Sequence, residues 1–170
     1  MSVDYMVPAQ AVSVETEVKK SRFITYIAPA TSRSEAIAYI ASIRRQYPDA
    51  SHHCTAFIAG SPKGGAAIAF DDDGEPSGTA GKPMLNVLLH KQIGEVVAVI
   101  VRYFGGVKLG TGGLVRAYSA GVQSACEQLP LKARVRLKEG YLTCDYALEQ
   151  AVRFCLKQNG ALLQQCEYKV

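Results

Sequence analysis

Long apolar runs, paired cysteines and a strong excess of either charge are all missing from this chain of 170 residues. The longest purely apolar stretch of β-branched character, Val96–Val101, is far short of the roughly 20 residues that a membrane span needs. Met1–Gln10 has no basic segment followed by an apolar core, so no secretory signal is expected. The five cysteines, at 54, 126, 144, 155 and 166, are odd in number and form no C-x-x-C pair. That usage predicts free thiols in a reducing, cytoplasmic setting, with neither a disulfide framework nor a zinc site. Cys126 and Cys155 fall on apolar helical stripes and are expected to pack there. Internal repeats and low-complexity tracts are absent. The net charge of +4 is mildly basic, which admits a nucleic-acid partner without requiring one.

What remains is globular composition, with 48% apolar and 20% charged residues. The length predicts one domain or slightly more. Charge is uneven along the chain. Residues 1–130 hold 12 Lys+Arg against 11 Asp+Glu, and residues 131–170 hold 7 against 4. The shift coincides with Leu129-Pro130, where a helical pattern stops before proline, so a domain boundary is expected there.

In the first region, Gln10–Val18 and Ser21–Ala28 read as strands. A helix follows, capped by Ser32 or Ser34 and running to about Gln46, with Ala36, Ile37, Ile40, Ile43 and Tyr47 on its apolar stripe. His53–Ala59 and Ala66–Phe70 read as a hairpin. A polar loop, Asp71–Ala80, leads to a short helix carrying Met84, Leu85, Leu88 and Leu89. Glu95–Phe104 is nearly all apolar, which predicts burial on both faces. A glycine-rich loop then opens a helix over about Thr111–Leu129, with Leu114, Ala117, Tyr118, Gly121, Val122 and Ala125 on its packing face. In the second region, 132–138, 141–145 and 161–170 read as strands around a helix through Leu148–Leu156 that ends at Asn159-Gly160.

Two loops could carry function. The first is Gly105-Gly106-Val107-Lys108-Leu109-Gly110-Thr111-Gly112-Gly113, five glycines between a buried strand and a helix N-terminus. That context suits an anion, because backbone N–H groups converge and the helix end adds partial positive charge. Arg102, Lys108 and Arg116 bracket it. The loop lacks the lysine of a P-loop and the third glycine of a dinucleotide fingerprint. A tight strand-to-helix crossover is the plainer account of the glycines.

The second is Asp71-Asp72-Asp73-Gly74-Glu75, four carboxylates in five residues. They need a cation or arginine to offset their repulsion. Mg²⁺ is one such partner, although calcium-loop spacing is absent. A turn whose Asp side chains bond local N–H groups and pair with Arg102 or Arg116 is the plainer account. His52-His53-Cys54 lacks the convergent ligands of a metal site, and i, i+2 spacing on a strand rarely aligns a thiol with an imidazole. Lys132, Arg134, Arg136 and Lys138 alternate with Ala133, Val135 and Leu137, which places four cations on one strand face. Such a face fits a phosphate backbone or a charge-protected edge strand.

Asp72-Asp73-Gly74-Glu75-Pro76-Ser77-Gly78-Thr79-Ala80-Gly81-Lys82-Pro83 and the stretch Val101–Tyr118 closely resemble the two signature segments of the IMPACT family. The resemblance is strong over about residues 15–130. His52 falls where the family has a histidine before its Ala-aromatic pair, here Ala56-Phe57, and Thr55 replaces the usual aromatic. The resemblance implies an α+β fold: a two-layer α/β sandwich over 1–130, similar to domain 2 of a small-subunit ribosomal protein. After it, over 131–170, comes a partial, truncated ferredoxin-like β-α-β unit. Eukaryotic relatives restrain a translation-initiation-factor kinase by competing for its activator. Some relatives carry a proline-dipeptidase label, but no ligand set for such chemistry is visible in this sequence.

The expected function is a non-enzymatic regulator of translation or stress response that binds RNA or ribosome-associated partners. Arg102, Lys108, Arg116, Gly105, Gly106, Gly110, Gly112, Gly113 and Lys82 would contact phosphate. Asp72, Asp73, Glu75 and Thr79 would frame the loop, and the strand 132–138 would extend the footprint. The expectation includes no cofactor, no metal and no membrane partner. The alternatives are a Mg²⁺-dependent phosphotransferase or hydrolase using the same loops, and a protein-docking module.

Overall fold

The computed structural model describes residues 3–135 and 137–168. Two compact units are present, Val3–Arg134 and a smaller one that begins at Val135.

The larger unit is built on a five-stranded antiparallel sheet. Its strands are β2 (Val12–Val18), β3 (Ser21–Pro29), β4 (His52–Ala59), β5 (Ala67–Asp71) and β6 (Val96–Tyr103), in the order β2-β3-β6-β4-β5. β6 lies at the centre, and its alternation decides the layering. Val96, Ala98 and Ile100 join one core cluster, with Phe23, Ile27, Cys54, Ala56 and Ile58. Val97, Val99 and Val101 join a second, with Ile24, Ala28 and Phe57. Successive strand side chains point to opposite faces, so the sheet is apolar on both sides. Full burial of each such aliphatic side chain stabilises the fold by roughly 1.5–3 kcal/mol.

Both faces are covered. Helices α2 (Gly81–His90) and α3 (Thr111–Gln128) pack on the first through Met84, Leu88, Leu114, Tyr118 and Val122. Helix α1 (Arg33–Gln46) packs on the second through Ala36 and Ile43. The mixed α and β composition is as expected, and helices cover both faces of the larger unit's sheet. The continuous apolar run of β6 is the physical reason: a sheet bare on the α1 side would leave Val97, Val99 and Val101 in water.

Local chemistry explains the helix ends. Ser32 is the N-cap of α1, its Oγ accepting from Glu35 N at 3.2 Å. Glu35 in turn accepts from Thr31 N at 2.7 Å and from the Thr31 hydroxyl. Those bonds hold its carboxyl below the usual carboxylate range. On the expected α1 stripe, Ile37 is in fact exposed, while Ile40 and Tyr47 are half-buried. Helix α3 presents the expected face, and Gly121 lets it close on the sheet. A Cβ there would lie 2.7 Å from Thr25 Oγ1 and 3.1 Å from Ile100.

A first strand, β1 (Val3–Pro8), was not legible in the sequence. It pairs with β7 (Leu131–Val135) in a separate two-stranded sheet. Tyr5 donates to Glu95 at 2.9 Å, and Arg134 meets the same carboxylate at 3.1 Å. The strand expected over 132–138 therefore ends at Val135, and Arg136 lies outside the described residues.

In the smaller unit, helix α4 (Glu149–Gln158) forms as expected. Asn159 donates to the Cys155 carbonyl, and Gly160 takes a φ of +69° at the stop. The strands expected at 141–145 and 161–170 are absent among the described residues, and Lys169 and Val170 lie outside them. Strand-like composition needs a hydrogen-bonding partner to become a strand, and neither segment has one. Tyr141, Leu142, Leu162 and Leu163 are exposed. Cys155 is also exposed rather than packed, whereas Cys126 is buried.

Candidate functional site

Strand register places the centre of the site. Arg102 on β6 stands opposite Phe23 on β3 and opposite His52 on β4. Directly opposed residues share a sheet face, and Cys54 lies on that face two residues from His52. The acidic loop and α3 close over it from above. Glu75 Oε1 accepts from Arg102 Nη1 at 2.5 Å and from the Tyr118 hydroxyl at 2.6 Å. Arg102 Nη2 donates to Ser21 Oγ at 3.2 Å. Its guanidinium carbon lies 5.5 Å from the centre of the Phe23 ring and 5.7 Å from that of Phe104. Among the described residues, Arg102 Nε has no hydrogen-bond partner. Arg102 is 5% exposed and Glu75 8%, so this is a buried ion pair.

Around the pair the network continues. The Cys54 thiol is 3.1 Å from the Asp72 carbonyl and 3.3 Å from the Tyr118 hydroxyl. Burial pushes the Cys54 thiol well above its ordinary pKa and does the same to the Tyr118 phenol. Both stay protonated, and neither is a nucleophile at neutral pH. His52 Nδ1 lies 2.8 Å from the Asp73 carbonyl, which can only accept, so Nδ1 carries the proton. Its Nε2 faces Glu75 Oε2 at 3.8 Å.

Each carboxylate of the acidic loop has its own protein partners. Asp72 accepts from the N–H groups of Gly78, Ala80 and Gly81 at 2.7, 3.1 and 2.8 Å. It thereby supplies the N-terminal cap that α2 lacks in its own Ala80. Asp73 accepts from His53 N at 2.7 Å and lies 3.6 Å from Arg44. Asp71 lies 3.4 Å from Arg44. Thr79 donates to the Pro76 carbonyl at 2.6 Å, tightening the turn. Only Glu75 meets one of the expected arginines. Asp72 and Asp73 hold backbone and Arg44 instead, and no such group among the described residues gathers three His, Cys, Asp or Glu around a metal position.

Arg102 therefore corrects the sequence reading. It was expected to face phosphate, but its charge is spent on Glu75 beneath the surface. Lys108 and Arg116 are exposed at the start of α3. Gly110 caps that helix at a φ of +75° with no side-chain hydrogen bond, which leaves the first-turn N–H groups of α3 open. Arg116 leans back along the helix, close enough that a Cβ on Gly112 would meet its Nη1 at 3.4 Å. Gly105 fits against the Lys20 carbonyl, where a Cβ would overlap it, and donates to Ser21 Oγ at 3.3 Å. The glycine loop is thus clamped to the turn between β2 and β3.

That clamp gathers cations the sequence reading missed. Lys19 and Arg116 line one hollow of about 260 Å³, floored by Val18, Leu109, Ala117 and Ala120. Lys20 sits in the same turn, and both turn residues take positive φ, +45° and +65°. A Lys-Lys pair between two strand patterns was the available signal. Elsewhere, Lys82 lies on α2 beside a separate groove. Lys132 and Arg134 are exposed on β7, with Arg134 engaged by Glu95, and Lys138 is exposed outside any strand. Among the described residues, β7 carries only Lys132 and Arg134 of the four expected cations.

Thiol accessibility offers a direct check. Cys144, Cys155 and Cys166 are exposed, while Cys54 and Cys126 are buried with raised pKa values, Cys126 to about 11. An aromatic disulfide reagent should titrate three thiols rapidly and two only on unfolding. A fourth fast thiol, mapped to Cys54, would contradict the closed network.

Among the described residues no helix is long and apolar enough to cross a membrane. The Impact N-terminal domain family matches residues 19–126. The IMPACT family member YigZ of Escherichia coli (strain K12) is 46% identical over 166 residues, which cover 98% of this chain and 78% of the relative. A solved chain described as a hypothetical protein superposes with a TM-score of 0.77 at 43% identity, covering 99% of this chain and 82% of that one. Another, described as the two-domain translational regulator Yih1, gives 21% identity and a TM-score of 0.43 over 74% of this chain and 48% of its own. On the family match and the near full-length identity, this chain belongs to the IMPACT family.

Proposed function

We propose that the protein binds RNA through the cationic edge formed where the β2–β3 turn meets the start of α3, and that it modulates translation by doing so. The observation that carries this reading is the clamp of Gly105 on Lys20, which brings Lys19, Lys20, Lys108 and Arg116 around an open helix N-terminus. Open first-turn amides and four exposed cations suit phosphate oxygens and carry no base preference. Phe104, 50% exposed beside this edge, supplies a face on which an unpaired base can stack. Single-stranded or looped RNA fits this combination better than a regular duplex does.

The test is salt-dependent binding to unstructured RNA oligonucleotides. The double variant K108A/R116A should weaken binding evenly across sequences. Its log–log salt slope should fall by about 1.4, at about 0.7 per lost cation on single strands. Absence of binding by the wild type at low salt, or an unchanged slope in the variant, would overturn the reading.

A further inference from the structure

A different flank of α3 carries a second, independent feature. Val115, Ser119 and Gln123 line it, at i, i+4 and i+8. Lys82, Asn86 and His90 face them from α2 at the same spacing, with Lys91 at the end. The groove between these rows is open to solvent and has a volume of about 630 Å³, within the size range of small-molecule sites. Eight residues of helix make it about 12 Å long.

Its chemistry is one-sided. Among the ten lining residues two are lysines, one is a histidine and none is a carboxylate. Asp72, the nearby acid that could have balanced them, is turned inward onto the amides of α2. The dipole of α2 is therefore satisfied internally, and Lys82 is left to the groove. Pro83, Val87 and Val115 provide apolar contact, while Asn86, Ser119 and Gln123 each offer a hydrogen-bond donor and acceptor.

We infer that this groove binds a nucleoside monophosphate, its base against Asn86, Ser119 and Gln123 and its phosphate against Lys82 at one end of the groove. An apolar helix from a partner protein would strand three polar side chains at the interface, which is costly. A base edge satisfies them, because carboxamides match the donor–acceptor pattern of a purine. A bare phosphate would leave most of the groove and its apolar contacts unused.

The test uses the whole chain with adenosine 5′-monophosphate as the probe, read by calorimetry and by thermal shift. Binding should be at least tenfold tighter than that of adenosine or inorganic phosphate alone. K82A should weaken it at least tenfold. Ser119→Trp, which fills the groove and keeps every cation, should abolish it. Circular dichroism and an unchanged unfolding midpoint would show that both variants remain folded. Equal binding of phosphate alone would reduce the groove to a nonspecific cation patch and overturn the proposal. So would retention of binding by Ser119→Trp, or groove-dependent binding of oligoadenylate or an acidic helical peptide without any binding of the mononucleotide. The RNA reading concerns other residues, so either can fail without the other.

Discussion

Arg102→Ala should destabilise the larger unit by about 3–5 kcal/mol, the usual cost of removing one partner from a buried ion pair. The loss comes less from the missing attraction than from what stays behind. Glu75 is 8% exposed and would be left with only the Tyr118 hydroxyl and a distant His52 as partners. Ser21 would lose the guanidinium at its hydroxyl, and the Phe23 and Phe104 rings would lose the cation beside them. A surface arginine that only waits for phosphate behaves differently, because its removal changes stability by about 0.5 kcal/mol or less. Urea denaturation decides between the two roles. Glu75→Gln combined with Arg102→Met should recover much of the loss, since no unpaired charge would remain. A single-variant loss under about 1 kcal/mol would mean that the pair is not buried in solution.

This outcome marks where sequence reasoning reached its limit. Elements with a strong period were legible: α1 with its Ser32 cap, α3 with its small apolar face, and β6 with apolar residues on both sides. β6 even announced a sheet covered on both faces. β1 was hidden because its partner, β7, lies more than a hundred residues along the chain. The short segments 141–145 and 161–168 misled for the opposite reason: a strand pattern carries no information about whether a partner exists.

The site was half legible. Glycine, acid and arginine all stood out, and Glu75 does meet Arg102. Their direction did not stand out, because charge in a sequence looks the same whether it faces water or another charge. Tyr118 was read as packing, yet its hydroxyl ties α3 to Glu75 and Cys54. Lys19 and Lys20 gained meaning only from the approach of Gly105, a contact across more than eighty residues.

That contact yields the other large expected effect. Gly105→Ala should cost about 1–3 kcal/mol as an overpacking change, and it should also impair RNA binding. The added methyl has nowhere to go, because it would overlap the Lys20 carbonyl, which is backbone and cannot rotate away. Either the β2–β3 turn or the Phe104–Gly110 loop must shift, and the cations on the two would separate. Gly106→Ala is the matched control. Its φ of +85° disfavours alanine by about 1–2 kcal/mol, but a side chain there would meet nothing within 4 Å. The two variants should therefore lose comparable stability while only Gly105→Ala loses RNA affinity and salt slope. Equal retention of RNA by both would show that the loop and the turn bind independently, and the clamp would then have no part in gathering the charge.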